Sequence, residues 1–224
     1  VSGVLYVCDV TQQQRLDQMK SDFLSLAAHE LRTPMTSIFG FTELLKTRQL
    51  TPDKQKDLIE RVYVQTQLMM VILNELLDLA RIESKGGADL NMQTVDLYEE
   101  VSHLIQGFGQ PPDRSPPVLL TSGQPMPVNL DHAKLRQMLV NVLSNAYKYS
   151  PNGGDVSVYF QRQSRDGVAY FGVSVEDRGM GLKPDQLARM GERFYRADKS
   201  GHIPGTGLGV SIVKELAELM GAQL

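Results

Sequence analysis

Features that would place a protein outside the cell or within a membrane are scarce in this sequence. Cys8 is the only cysteine among 224 residues, so no internal disulfide can form, which fits a reducing compartment. We expect Cys8, within an apolar run, to be buried rather than reactive. No apolar run reaches the ~18 residues of a membrane span, and there is no signal peptide. We therefore predict a cytoplasmic segment that makes no membrane contact.

An excess of charge of one sign is also lacking. The net charge is -3 at pH 7, which is too small to indicate nucleic acid or a membrane as a partner. The sequence contains no internal repeat, no low-complexity tract and no phosphate-binding loop of the G-x-x-x-x-G-K-[ST] type. A nucleotide can still be bound by a few well-placed cations.

The first third of the chain has the pattern of two long helices. Apolar residues recur with helical spacing from Leu24, and we expect Pro34 to bend this helix locally. Thr51 and Pro52 begin the second helix. Two helices alone cannot enclose a core, so we predict a homodimer that forms a four-helix bundle. The two apolar seams are Leu24, Ala28, Leu31, Met35, Ile38 and Leu45, and then Ile59, Val62, Thr66, Met69, Leu73, Leu76 and Ala80.

The pattern becomes mixed α and β after Gly87. The sequence predicts helices over residues 95–105, 131–149 and 206–220. Alternating residues predict paired strands over 156–161 and 169–176. Residues 110–127 hold six prolines of the eleven in the chain and are predicted to form a loop around a short strand at 118–121.

His29 lies on the outer face of the first predicted helix. Residues advance by about 100° around a helix, and the angles here are measured from the centre of the apolar stripe. His29 then lies at about 140°, Thr33 at about 180° and Glu30 at about 240°. An exposed histidine alone usually has no function, and Glu30 alone is typical of a solvated charge. Together they indicate chemistry, because a neutral imidazole is a nucleophile and an adjacent carboxylate can orient it and accept its proton.

Asn141, Asn145 and Lys148 form one polar stripe on the predicted helix 131–149, at positions i, i+4 and i+7. Asparagine is a mediocre helix former. Two asparagines that face the same way as a lysine suit a hard metal ion and phosphate oxygens. For this segment alone, a merely solvated face remains an alternative.

Two glycine-containing segments are candidate nucleotide loops. In the first, the Asp177 carboxylate can accept a hydrogen bond from an exocyclic amine such as that of adenine, and Gly179 and Gly181 let the backbone approach a flat ring. Alone, it could be an ordinary turn. The second opens the last helix, where free N–H groups bind phosphate. A Rossmann site would need a strand at 197–204, which is not predicted. This second segment consists of Gly205, Thr206, Gly207, Leu208 and Gly209.

Residues 192–196 lie between the two glycine segments. Phe194 and Tyr195 could anchor a mobile segment or be plain core residues, and Arg196 could neutralise a phosphate. For Phe194 and Tyr195, plain core residues are the default interpretation.

Together these segments resemble the sensor histidine kinase family of two-component systems, over roughly residues 11–221. Residues 29–34 resemble its phosphoacceptor box, 141–150 its asparagine box, 177–181 and 205–209 its glycine boxes, and 192–196 its phenylalanine box. The resemblance implies an all-α dimeric four-helix-bundle domain at 12–87. It also implies an α/β two-layer sandwich of the histidine kinase and gyrase ATPase type at 88–224. Residues 1–11 resemble the end of an upstream sensory PAS domain, so we expect a fragment of a longer protein.

The resemblance also implies roles for the matching residues. His29 would be the phosphorylated nucleophile, Glu30 its general base, and Thr33 would position water when the partner is dephosphorylated. Asn145, helped by Asn141, would hold Mg²⁺. Partners would be a second copy of the chain, a response regulator receiver domain and the upstream sensory domain. Implied ATP contacts are Lys148 and Arg196 to phosphates, Tyr149 beside the nucleotide, Asp177 to the adenine amine, Gly179 and Gly181 beside the ring, and Gly205, Thr206, Gly207, Leu208 and Gly209 at the phosphates and lid end.

One departure and two rival functions accompany this interpretation. The chain stops at Leu224, where the family has further strands, so we expect an incomplete sheet. A gyrase-like or chaperone-like ATPase would carry a glutamate where Asn141 stands, so the asparagine favours transfer over hydrolysis. A signalling scaffold without catalysis would be favoured by loss of His29, Asn145 or Asp177, and all three are present.

Overall fold

The computed structural model describes residues 11–120, 125–165, 167–198, 203 and 205–224. The predictions for residues 1–10, including Cys8 and the end of an upstream domain, lie outside the described residues, as does Thr121. The chain divides into two compact units, Val1–Leu76 and Leu77–Leu224. The second unit includes the last turns of the second helix, whereas the sequence-based boundary was drawn at the end of that helix.

Two long helices make up the described part of the first unit, and the second of them extends into the second unit. Helix α1 is Thr11–Thr47 and helix α2 is Pro52–Lys85. Helix α1 continues through Pro34, whose side chain is buried. None of the helices in the described ranges combines the length and the apolar character that a membrane span requires.

The predicted seams are only partly covered within one chain. Leu24, Met35 and Ile59 remain exposed, and the buried positions are Ala27 and Ile72 rather than the predicted Ala28 and Leu73. Adjacent residues on a helix differ by about 100°. Periodicity alone does not tell which of two neighbouring apolar residues faces the inside of a single chain.

The second unit contains short strands and helices in α/β order. Strands β1 (Met92–Asp96) and β3 (Pro127–Asp131) form a two-stranded antiparallel sheet in which Met92 lies opposite Asp131. The other three strands are β2 (Val118–Leu120), β4 (Ser157–Arg165) and β5 (Val168–Glu176). They form a sheet of order β2–β4–β5, with β2 parallel and β5 antiparallel to β4. The elements are β1 Met92–Asp96, α3 Leu97–Gln106, β2 Val118–Leu120, β3 Pro127–Asp131, α4 His132–Lys148, β4 Ser157–Arg165, β5 Val168–Glu176, α5 Pro184–Ala188 and α6 Gly209–Leu219.

The sequence missed β1 and β3. Residues 95 and 96 were predicted as helix, but the chain changes from strand to helix at Asp96, whose carboxylate accepts hydrogen bonds from the N–H groups of Tyr98 (2.9 Å) and Glu99 (3.2 Å). This is an N-cap, which favours a non-helical backbone at the capping residue. These two strands are defined by their pairing with each other, which local sequence patterns do not show.

The core of the second unit lies between the sheet and helices α3 and α4. Because α4 buries one face in this core, its opposite face is available for binding. Helix α6 begins at Gly209, so the segment from Gly205 to Leu208 precedes it instead of forming its first turn as predicted. The core residues are Leu97, Val101, Leu104, Ile105, Met126, Leu130, Leu135, Leu139, Leu143, Ala146, Tyr147, Val156 and Val158.

Candidate active site

His29 projects from α1 as its helical angle predicts. Its side chain is 68% exposed, and Nδ1 lies 3.5 Å from Oε1 of Glu30. That distance is at the long limit of a hydrogen bond, but it holds the negative charge beside the ring. When the carboxylate accepts a hydrogen bond from Nδ1–H, the neutral ring carries its free lone pair on Nε2. The pair therefore presents an accessible ring nitrogen with a base beside it.

Thr33 lies one turn further along the same face. Its Oγ1 donates a hydrogen bond to the carbonyl oxygen of His29 at 3.3 Å, and the residue is exposed. Such bonds within a helix are common for threonine. The hydroxyl is thus close to the His29 backbone and keeps acceptor capacity for water.

The polar stripe of α4 lies next to the glycine segment that precedes α6. A Cβ atom added to Gly209 would be 3.4 Å from Oδ1 of Asn141, and one added to Gly205 would be 2.0 Å from Nζ of Lys148. Asn145 is half-buried between these two on the same face. Residues far apart in sequence, the asparagine stripe and the second glycine segment, are therefore brought together.

The first glycine segment packs on the C-terminal end of α4. Oδ1 of Asp177 accepts a hydrogen bond from the Gly179 N–H at 2.7 Å, and the Met180 N–H donates to the Tyr149 carbonyl oxygen at 3.2 Å. A Cβ on Gly179 would be 2.4 Å from that carbonyl oxygen, so only glycine fits. The exposed Asp177 carboxylate retains acceptor capacity for a second donor. Gly181, at the end of the loop, is exposed.

The second glycine segment packs closely against the backbone of Phe194. A Cβ on Gly207, whose φ is 74°, would be 2.6 Å from the carbonyl carbon of Phe194. Thr206 is buried, and its Oγ1 accepts a hydrogen bond from the Leu208 N–H at 3.1 Å. Leu208 is fully buried. The buried side chains anchor this segment in front of α6, whose first N–H groups suit an anion.

Arg196 lies beside Tyr149 and binds a backbone carbonyl group. Its Nη2 donates to the oxygen of Ile203 at 2.6 Å. Among the described residues, its Nε is buried without a hydrogen-bond partner. Burial raises the pKa of the Tyr149 phenol; the charge of Arg196 opposes that shift, whereas Asp198 adds to it. The guanidinium is thus near the site, with donor capacity to spare.

Phe194 and Tyr195 are half-buried rather than core residues. Phe194 has a φ of 61°, an uncommon conformation for a side chain of its size. The preceding residue, Arg193, forms an ion pair with Glu215 of α6, with Nη2 and Oε1 2.5 Å apart. This pair joins the phenylalanine segment to α6.

Neither Arg193 nor Arg114 is assigned a role from the sequence, and both residues shape the site. Arg114 lies in the proline-rich loop, and its guanidinium reaches the end of α4, where Nη1 donates to the Ser150 carbonyl oxygen at 2.7 Å. Local periodicity carries no signal for such a contact, because the partners are 36 residues apart.

Two amide side chains are candidate metal ligands on α4, Asn141 and Asn145. Amide oxygens are suitable ligands for Mg²⁺, which usually completes its shell with water and substrate phosphates. The described residues contain no group of three His, Cys, Asp or Glu side chains that could hold a metal ion. The two amide oxygens fit Mg²⁺ that is held together with nucleotide phosphates.

Two family matches cover most of this architecture. Residues 19–85 match the His Kinase A (phospho-acceptor) domain. Residues 130–224 match the histidine kinase-, DNA gyrase B-, and HSP90-like ATPase family. The first match contains His29, and the second contains the asparagine stripe and both glycine segments.

Curated relatives are longer proteins that match nearly the whole of this chain. The sensor histidine kinase WalK of Bacillus subtilis is 30% identical over 232 residues, which cover 100% of this chain and 37% of WalK. The sensor-like histidine kinase SenX3 of Mycolicibacterium smegmatis is 32% identical over 220 residues, which cover 96% of this chain and 56% of SenX3. The chain thus spans roughly a third to a half of these relatives.

Solved structures share the fold. The Acinetobacter baumannii histidine kinase AdeS matches 85% of this chain and 86% of its own with a TM-score of 0.61 and 22% identity. Full-length ShkA, solved in complex with AMPPNP, matches 90% of this chain and 41% of its own with a TM-score of 0.57 and 26% identity. With both domains matched in order, the chain belongs to the sensor histidine kinase family and carries its phosphoacceptor and gyrase-type ATPase domains.

Proposed function

We propose that this chain transfers the γ-phosphoryl group of ATP to its own His29 and then to an aspartate of a response regulator. One observation carries the proposal: the α4 polar stripe, with Asn141 and Lys148, lies beside the glycine segment that opens α6. This arrangement combines amide oxygens, an ammonium group and helix N-terminal N–H groups, which suit a metal–phosphate complex.

ATP binding is divided among the two glycine segments and α4. Asp177 accepts a hydrogen bond from the adenine amine, with Gly179 and Gly181 along the ring and Tyr149 beside the nucleotide. Asn145, helped by Asn141, holds Mg²⁺, which supplies charge neutralisation at the phosphates. The phosphate contacts come from Lys148 and from Gly205, Thr206, Gly207, Leu208 and Gly209.

Arg196 joins the phosphates after giving up a protein contact. Its Nη2 is bound to the Ile203 carbonyl oxygen, while its buried Nε has no partner among the described residues. A phosphate oxygen would satisfy both donors and is a stronger acceptor than a carbonyl group. We therefore assign Arg196 to the phosphates when ATP is bound.

The chemical step takes place at the exposed ring of His29. Glu30 accepts the Nδ1 proton as Nε2 attacks the γ-phosphorus, so an N–P bond forms while the bond from the γ-phosphorus to the bridging oxygen breaks. ADP leaves with the electron pair of that bond. In the reverse role, Thr33 positions the water that dephosphorylates the response regulator.

The proposed protein works as a homodimer. Within one chain, α1 and α2 leave Leu24, Met35, Ile59 and Leu73 exposed, and a second copy would cover these residues in a four-helix bundle. The proposal also includes an upstream sensory domain and places this segment in the cytoplasm, where ATP is available. ThkA, which shares only the fold at 18% identity, was solved in complex with its response regulator TrrA.

The test is labelling with γ-labelled ATP. The parent chain should acquire acid-labile, base-stable label, and His29→Gln should remove it while nucleotide binding stays nearly unchanged. A gyrase-type hydrolase would instead release phosphate from both proteins without stable label, and a scaffold would bind ATP without either product. Full labelling of the His29→Gln protein would rule out His29 as the acceptor.

A further inference from the structure

Arg114 lies in the loop between α3 and β2, and its guanidinium contacts the C-terminal end of α4. The Arg114 N–H donates to the Pro111 carbonyl oxygen at 3.0 Å, which closes a turn. Its side chain then donates from Nη1 to the Ser150 oxygen at 2.7 Å, and from Nη2 to the Gly154 oxygen at 2.9 Å and to Oγ of Ser150 at 3.2 Å. A longer contact, at 3.4 Å, joins Nη1 to the Tyr147 oxygen.

One of these acceptors, the Tyr147 carbonyl oxygen, lies in the last turn of α4, where a helix leaves carbonyl groups unsatisfied. A positive charge there also interacts favourably with the helix dipole. The planar guanidinium can bind several oxygens at once, whereas an ammonium group is a point charge without that geometry. The Arg114 guanidinium lies 5.1 Å from the centroid of the Tyr147 ring, and the Tyr147 hydroxyl donates to the Ser115 oxygen at 2.8 Å. Loop and helix end are thus joined from both sides.

The contacts of Arg114 enclose residues of the nucleotide site. Lys148 and Tyr149 lie between Tyr147 and Ser150, whose carbonyl groups Arg114 binds. Gly154, its third backbone partner, lies against the first glycine segment, because a Cβ on Gly154 would be 2.7 Å from Cβ of Arg178. That segment also hydrogen-bonds to the Tyr149 carbonyl oxygen through the Met180 N–H.

We propose that Arg114 is a positioning residue for ATP. By binding the end of α4 and the turn at 150–154, it holds Lys148, Tyr149 and the Asp177 loop in the relative positions that ATP binding requires. The inference rests on the proposed function of the site. Arg114 acts through these groups and takes no part in the chemical step. Its loss should therefore weaken ATP binding and leave the rate of phosphoryl transfer at saturating ATP unchanged.

The experiment compares Arg114→Met and Arg114→Lys with the parent chain. Binding of ATP with Mg²⁺ gives Kd, and His29 labelling at varied ATP gives KM and kcat. For Arg114→Met we expect Kd and KM to rise about tenfold, which corresponds to about 1.4 kcal/mol, with kcat unchanged. Arg114→Lys keeps the charge but lacks the planar guanidinium, so its Kd and KM should lie between those of the parent chain and of Arg114→Met.

Two further variants make the outcome decisive. Val101→Ala removes part of a fully buried core side chain of α3 and should lower the melting temperature without raising Kd; an equal rise in Kd would reduce the Arg114 effect to general destabilisation. Asn145→Ala should abolish binding, and if it does not, the proposed site itself is wrong. If Asn145→Ala fails to bind while a folded Arg114→Met or Arg114→Lys protein binds as tightly as the parent, only the inference about Arg114 fails.

Discussion

The two units of this chain bury their apolar residues to different extents. In the first, Leu24 is 66%, Phe39 69% and Ile59 59% exposed. In the second, Val101, Leu143 and Leu216 are at most 1% exposed. Large apolar side chains are exposed in both units, but the second unit also contains a cluster of buried core residues. The second unit is therefore stabilised within one chain, and we propose that a second copy covers the exposed residues of the first.

The chemistry divides along the same line. The first unit offers His29 and Glu30 on an exposed helix face, and the second offers the polar stripe of α4 and two glycine loops around it. Substitutions in each unit should therefore have separable effects on binding, transfer, stability and assembly.

The largest expected effect separates nucleotide binding from assembly. Asn145→Ala removes the amide oxygen that we propose as the main Mg²⁺ ligand, and Asn141 alone should not suffice, so Mg²⁺-dependent ATP binding should be lost. Titration calorimetry measures ATP binding, and light scattering measures the mass of the assembly, which should be unchanged. Ser144→Ala, at an exposed neighbouring position, is the matched control and should bind normally. Unchanged ATP binding in Asn145→Ala would show that α4 is not the metal site.

The next effect isolates the transfer step in the first unit. Glu30→Gln removes the base beside His29 and should slow labelling by about 10²–10⁴-fold, the usual contribution of a general base, with ATP affinity preserved. Quench-flow labelling measures the rate. Glu43→Gln, on an exposed position of the same helix, should be neutral. A normal rate for Glu30→Gln would mean that solvent accepts the proton.

The burial contrast itself can be tested by truncating one residue in each unit. Leu143→Ala should lower the free energy of unfolding by about 2–5 kcal/mol, the range for buried leucines. Ile59→Ala should scarcely affect unfolding of the second unit but should raise the dimer dissociation constant. Urea unfolding and sedimentation measure the two quantities. If Leu143→Ala were neutral or Ile59→Ala left the dimer unchanged, the contrast between the units would not hold.

The smallest effect concerns pH and the start of α4. Burial would raise the pKa of Asp131, but hydrogen bonds from the N–H groups of Asn91, Lys134 and Ala133 outweigh it and hold that pKa below its usual value of 3.8. A lowered folded pKa means stabilisation that is complete above the unfolded value and is lost as pH falls through the folded pKa. The carboxylate therefore stabilises the fold at neutral pH and ceases to do so in acid.

Asp131→Asn keeps a side-chain oxygen at the N-cap but removes the charge, so it should cost about 0.3–1 kcal/mol at pH 7, the range for a charge at a helix N-terminus, and the deficit should shrink below about pH 4. Thermal unfolding at several pH values measures it. Asp155→Asn, at an exposed position, should show no such dependence. A deficit that stays constant into acid would mean that side-chain packing, not charge, accounts for the role of Asp131.

Sequence reasoning succeeded where the signal is local. The period of α1 predicted the exposed face of His29, and the family and fold class predicted from five short segments are confirmed by the two family matches. The roles of the individual site residues remain predictions. The sequence failed at β1 and β3, because these strands are defined by pairing with each other across more than thirty residues of chain.

What the sequence by itself determined is the placement of groups along each element: Glu30 beside His29, Asn141 and Asn145 on one face, and a glycine at 179 where a side chain would collide. Only the tertiary structure decided which of these meet. It brought Gly205 to Lys148 and Gly209 to Asn141, and it carried Arg114 to the end of α4. The physical reason is that helical period and turn chemistry act between near neighbours, whereas these contacts join residues tens of positions apart and depend on how the whole unit packs.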